Sequence, residues 1–114
     1  ADGSTGSTIV DEAVRYINEH SGADITLGEL AELSGVSPQY FGRVFRQRLG
    51  MRPMEYVARV KVSKAKTMLL DSDIPVAELS QRLGYTSPTY FGIVFRKYEG
   101  VSPSEFRKNR GNII

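Results

Sequence analysis

The chain has 114 residues and a mass of 12.7 kDa, room for one ordinary domain or two very small ones. Apolar residues make up 40% and charged residues 25%, a globular mixture rather than a disordered or fibrous one. No apolar run approaches the roughly 20 residues of a membrane-spanning helix. With no cysteine and one histidine, His20, the sequence excludes a disulfide scaffold, a thiol nucleophile, zinc-finger chemistry and any site built on two imidazoles. The net charge of +2 conceals a strong asymmetry: residues 1–40 carry seven acids against Arg15 alone, whereas residues 41–114 carry fourteen Lys and Arg against six acids. Such a split suggests a polyanionic partner for one side of the molecule; its bland explanation is a clustered, solvated surface.

Residues 1–8 are small, polar and glycine-rich, and are expected to be a flexible linker or a cloning scar outside the fold. The missing initiating methionine suggests a fragment of something longer. From Ile9 onward the apolar period is helical. Ile9, Val10, Ala13, Val14 and Ile17 recur at spacings of three and four, and Ser21-Gly22 supplies a stop. Thr26 with Glu29 has the capping-box pattern and opens a short helix with Leu27, Leu30 and Leu33 on one side, broken at Gly35. Ser37-Pro38 pairs an N-cap with a proline at the first helical position, predicting a helix to about Leu49-Gly50. Pro53 opens a segment running to about Asp71 with the stripe Val57, Ala58, Val62, Ala65, Met68 and Leu69. Ile74-Pro75 starts a short helix ended at Gly84, Ser87-Pro88 one ended at Gly100, and Ser102-Pro103 with Glu105 a last one to about Arg110. No segment alternates with period two, so the expected class is all-α, with about seven helices.

The second half repeats the first. Residues 40–56 match residues 90–106 at nine of seventeen positions, namely Tyr40, Phe41, Gly42, Val44, Phe45, Arg46, Gly50, Pro53, Glu55 and their counterparts fifty residues on. Upstream, Glu29, Leu30, Ala31 and Gly35 match Glu78, Leu79, Ser80 and Gly84 at an offset of 49, so the second turn is one residue longer. Leu33 falls against Arg82, a mismatch beside Leu83. Each copy reads as short helix, glycine turn, longer helix, with a small residue four before the glycine where two helices can cross closely. This is the helix-turn-helix pattern, whose second helix enters the DNA major groove.

On the motifs Leu30-Ala31, Gly35-Val36-Ser37-Pro38, Phe41 and Phe45-Arg46, and then Gly84-Tyr85, Tyr90-Phe91, Val94-Phe95-Arg96 and Gly100-Val101-Ser102-Pro103, residues 9–110 resemble the DNA-binding domain of AraC/XylS-family transcription regulators. The resemblance implies two helix-turn-helix subdomains, over residues 9–52 and 72–110, joined by a long helix over 53–71, with a tail at 111–114. It implies binding to successive major grooves of double-stranded DNA, control of promoter activity in the bacterial cytoplasm, and usually a separate sensing or dimerisation domain. A connecting helix of 19 residues would be roughly 28 Å long, comparable with one DNA turn of about 34 Å, and engagement of adjacent grooves would favour bending.

Helical phase separates the core face of each long helix from the face open to a partner. Phe41, Val44, Phe45 and Leu49 form the core face of the first long helix, and Gln39, Gly42, Arg43 and Arg46 the opposite one. Gln39 and Arg43 suit base readout, because glutamine pairs with adenine and arginine donates twice to guanine; Arg46, one turn on, suits phosphate. On the second copy's equivalent face Thr89 and Ile93 are the candidate base contacts, and Arg96, with Lys97 beside it, suits phosphate. Ile93 stands where family members often carry a polar residue; it cannot hydrogen-bond a base but can pack on a thymine methyl. The first unit is therefore expected to supply most hydrogen-bonded specificity.

Thr26, Ser37, Ser87 and Ser102 open helices and are candidate phosphate contacts as well as plain caps, joined by Arg52 and Lys108. Gly42 and Gly92 allow either close approach to DNA or tight packing against a neighbouring helix. Arg59, Lys61, Lys64 and Lys66 read as solvated charges on the long helix. No catalytic or metal-ligating constellation is found, so neither an enzyme nor a cofactor is expected, and His20 at the end of the first helix reads as structural. The acidic first helix and the exposed parts of residues 9–32 offer a surface for RNA polymerase or a regulatory domain. The rival reading is a helical protein-interaction domain that does not bind DNA.

Overall fold

A computed structural model describes the backbone of residues 2–110 and the side chains of residues 6–110; the expected tail at 111–114 lies outside the described residues. Seven helices and no strand occur among the described residues: α1 Asp2–Glu19, α2 Leu27–Ser34, α3 Pro38–Leu49, α4 Pro53–Asp71, α5 Val76–Arg82, α6 Pro88–Glu99 and α7 Pro103–Lys108. None is long and apolar enough to cross a membrane. The chain divides into two compact units, residues 1–21 with 25–57, and residues 22–24 with 58–114, so the boundary falls inside α4.

In the first unit α3 packs against both α1 and α2. Val10, Ala13 and Ile17 of α1, Leu30 and Ala31 of α2, and Phe41 and Phe45 of α3 are all buried, as helical spacing dictates. Phe45 lies between two rings, Phe41 at 5.7 Å and Tyr56 edge-on at 5.8 Å. Val44 and Leu49, expected in the core, are only half-buried. The segment expected to be a linker is helical from Asp2 onward. Once the apolar turns of Ile9–Ile17 have nucleated the helix, each further residue adds one hydrogen bond without a new nucleation cost. A Cβ placed on Gly6 would lie 3.8 Å from Val44 Cγ1, so this early turn runs beside α3.

In the second unit Val62, Ala65 and Leu69 of α4 form one core with Leu79, Leu83, Phe91, Val94, Phe95 and Phe106. The rings run in series, Phe91 to Phe95 at 5.9 Å and Phe95 to Phe106 at 5.6 Å.

The repeat is visible in backbone detail. Gly35 and Gly84 take φ of 70° and 85°, a left-handed conformation that glycine adopts without steric penalty. In both turns the following amide reaches back to the small residue, Val36 N–H to Ala31 O and Tyr85 N–H to Ser80 O. Ala31 and Ser80 are fully buried, as close helix crossing requires. Leu33, expected on the apolar side of α2, is 62% exposed instead. Its counterpart Arg82 is exposed too, so the mismatch falls at a solvent position; the buried residue is Leu83, one place later.

Candidate nucleic-acid interface

The outward faces of α3 and α6 are set by their starts. Ser37 Oγ accepts from Tyr40 N–H and Ser87 Oγ from Tyr90 N–H, each at 3.1 Å, with a proline at the first position of each helix. Thr26 Oγ1 caps α2 through Glu29 N–H, and Ser102 Oγ caps α7 through Glu105 N–H, also at 3.1 Å. All four candidate cap residues therefore use an acceptor lone pair internally, and Thr26, Ser37 and Ser87 keep a hydroxyl proton for a phosphate oxygen to accept, whereas the Ser102 side chain also serves Glu105.

Only Ser102 completes the reciprocal capping box: Ser102 N–H donates to Glu105 Oε1 at 3.0 Å. These hydrogen bonds from Ser102 hold the Glu105 carboxyl below the ordinary range, helped by the fields of Arg96 and Lys108. The box expected at Thr26 is half-formed, because Glu29 Oε2 accepts from the Tyr16 hydroxyl at 2.6 Å. The tie fastens α2 to α1 and raises the Tyr16 pKa. His20 Nδ1 donates to Tyr16 O at 2.9 Å and its ring stacks on Tyr16 at 4.0 Å, a structural placement as expected.

With α3 anchored by Phe41 and Phe45, residues Gln39, Arg43 and Arg46 are exposed on the opposite side. The Arg43 guanidinium lies 5.3 Å from the centre of the Tyr40 ring, which restrains its direction. Arg43, Arg46 and Arg52 converge on one groove of about 450 Å³, whose remaining walls are Leu27, Gly42, Pro53 and Met54. Among the described residues none of these three arginines forms an ion pair with a carboxylate. Helical phase alone places Arg43 and Arg46 on this surface; Arg52, beyond the end of α3, is expected only as a phosphate contact, and its convergence with them comes from the fold. The supporting roles of Tyr40 and Met54 were missed, although Tyr40 stands at the readable i, i+3 spacing from Arg43.

In the second unit Thr89, Ile93, Arg96 and Lys97 are exposed, Ile93 to 62%. Tyr90 is 58% exposed and rests 6.2 Å from Tyr85, widening the apolar part of this face. The two outward faces thus differ in chemistry on the same scaffold, cationic and hydrogen-bonding on α3, mixed apolar and cationic on α6.

One residue expected in solvent is not there. Lys61 is 5% exposed, and its Nζ donates to the carbonyls of Ala23 and Leu83 with the Tyr85 ring 5.4 Å away. Burial lowers its pKa, and Asp24 opposes that shift; burial likewise pushes the Tyr85 phenol up to about 12. Lys66 is partly engaged, 3.1 Å from Glu99, and the Arg59 guanidinium lies 4.9 Å from the Tyr98 ring centre.

Two helix-turn-helix units, α2–α3 and α5–α6, each with a capped, outward-facing second helix, define a helix-turn-helix DNA-binding module, and a family model described as a helix-turn-helix domain matches residues 30–109. The chain belongs to the AraC-type helix-turn-helix family. It is similar to the C-terminal domain of AraT, a response regulator from Geobacillus stearothermophilus, with 36% identity and a TM-score of 0.86 over 89% of this chain and 84% of that one. The DNA-binding domain of AdpA, a global transcriptional factor solved with a target DNA, is 30% identical with a TM-score of 0.84, over 90% of this chain and 94% of that one. The uncharacterized transcriptional regulatory protein YesN of Bacillus subtilis is 34% identical over 70% of this chain. The chain spans only 23% of YesN, and 14% of the B. subtilis activator Btr, to which it is 27% identical over 67% of its own length.

Proposed function

We propose that this domain binds double-stranded DNA sequence-specifically by inserting α3 and α6 into successive major grooves, and that it controls promoter activity as part of a transcription regulator. The observation that carries the reading is the convergence of Arg43, Arg46 and Arg52, unneutralised by any described carboxylate, on the exposed side of a helix held from behind by Phe41 and Phe45. The AdpA domain's likeness over nine-tenths of the chain supports the same reading. Gln39, Arg43, Thr89 and Ile93 are the base-contacting residues; Thr26, Ser37, Arg46, Arg52, Ser87, Arg96, Lys97 and Ser102 hold the phosphates. A sensing or dimerisation domain outside this segment is a further partner, in keeping with the small share of its curated relatives that the chain covers, and the acidic first helix is offered to RNA polymerase.

Selection of binding sites from random duplex tests this directly. The expected result is an enriched motif spanning two major grooves; retardation that is absent at low salt would overturn DNA binding in favour of a protein-interaction domain. On the selected site Arg43→Ala should lose about 1–3 kcal/mol of binding, and Ile93→Ala less, because only the arginine gives up hydrogen bonds to a base edge. Equal or reversed losses would refute this division of labour.

A further inference from the structure

Gly42 and Gly92 occupy the same register of the repeat, in the interior of α3 and α6. Glycine in a helix interior loses more backbone freedom on folding than alanine does, so it normally answers a local need. Two such needs are absent. Neither residue has a positive φ, which among the described glycines belongs to Gly35, Gly50, Gly84 and Gly100. Nor is either squeezed by a neighbour: a Cβ built on Gly42 or Gly92 meets nothing within 4 Å, whereas one on Gly84 would sit 2.5 Å from Ala23 O and one on Gly22 2.9 Å from Arg82 O. Tight packing against another helix is therefore excluded as the reason for glycine at these two sites. What borders them is the outward face itself, Arg43 and Arg46 in the same groove as Gly42, and the exposed Ile93 and Arg96 beside Gly92.

We infer that Gly42 and Gly92 are affinity determinants of the DNA interface: the absent side chains let the backbone of each recognition helix approach the duplex closely, at a cost to the stability of the helix. Bare backbone at the centre of the face lowers the helix by about the thickness of a methyl group, bringing Gln39 and Arg43 on one helix and Ile93 on the other within reach of base edges. This rests on the DNA-binding reading above, and it holds for both helices whichever of them supplies more of the specificity.

The experiment compares the unmodified chain with Gly42→Ala, Gly92→Ala and Gly42→Leu, measuring thermal unfolding and affinity for one duplex carrying the selected site. Both alanine variants are expected to unfold about 3 °C or more higher, from helix propensity alone. They should bind about tenfold more weakly, and Gly42→Leu more weakly still without a lower Tm than the unmodified chain. Alanine variants that are more stable and bind as tightly as the unmodified chain would overturn the inference while leaving DNA binding intact. Variants that lose stability together with affinity would overturn it by assigning the glycines an internal role. An unmodified chain that itself fails to bind the duplex at low salt would remove the DNA reading and this inference together.

Discussion

Lys61 shows what a single side chain contributes here. In the chain it is one of four cations on a helix, with nothing to separate it from Lys64 or Lys66. In the fold its ammonium satisfies two backbone carbonyls, those of Ala23 and Leu83. A buried carbonyl deprived of its donor costs roughly 1–3 kcal/mol. Lys61→Met keeps most of the aliphatic stem and removes the donors, so its urea midpoint should fall by an amount equivalent to about 2 kcal/mol or more; an unchanged midpoint would mean that water replaces the ammonium without penalty. The residue was illegible in the sequence because its partners are main-chain atoms 38 and 22 positions away, and backbone carbonyls carry no residue-type signal. Arg43 and Arg46 were legible for the opposite reason. Their placement depends only on phase relative to Phe41 and Phe45, a local property.

At the scale of the helix, the termini were the readable part. Ser37-Pro38, Ser87-Pro88 and Ser102-Pro103 each begin a helix as capping chemistry demands, and the glycines after α3 and α6 end theirs with φ of 74° and 83°. The misreadings lie where tertiary contacts compete with local pattern. Tyr16 draws the Glu29 carboxylate out of its capping box, and α3 offers the early turns of α1 a surface on which glycine and serine continue a helix.

The box that does form has a pH signature. Glu105 has a folded pKa below its ordinary value of 4.5, so its contribution is present above that value and is lost as the pH falls from about 4.5 through the folded pKa. Glu105→Gln keeps the geometry without the titration. The stability difference between the two proteins should therefore shrink or change sign between pH 6 and pH 3 in acid-unfolding curves; a constant difference would show that the carboxylate's charge adds nothing at α7.

For the molecule as a whole, net charge was the least informative number. The +2 total averages an acidic leading third with a basic remainder, and the cations assigned to phosphate, Arg46, Arg52, Arg96 and Lys97, all lie in the latter. Each neutralised phosphate contributes about −0.9 to the dependence of log affinity on log salt, so these four predict a slope of about −3.6. Arg46→Ala should reduce the slope by about one, measured by titration at several salt concentrations; an unchanged slope would remove Arg46 from the phosphate contacts. The two-unit architecture also has a temporal side. Residues 22–24 are threaded between α1 and α2 yet count with the second unit. A nascent chain leaves the ribosome N-terminus first, so α1, α2 and α3 emerge before the ammonium that will hold the Ala23 carbonyl, and well before Leu83. During synthesis the Ala23 carbonyl thus waits for its donor until α4 is made, and the same ammonium takes up the Leu83 carbonyl only when the second glycine turn arrives.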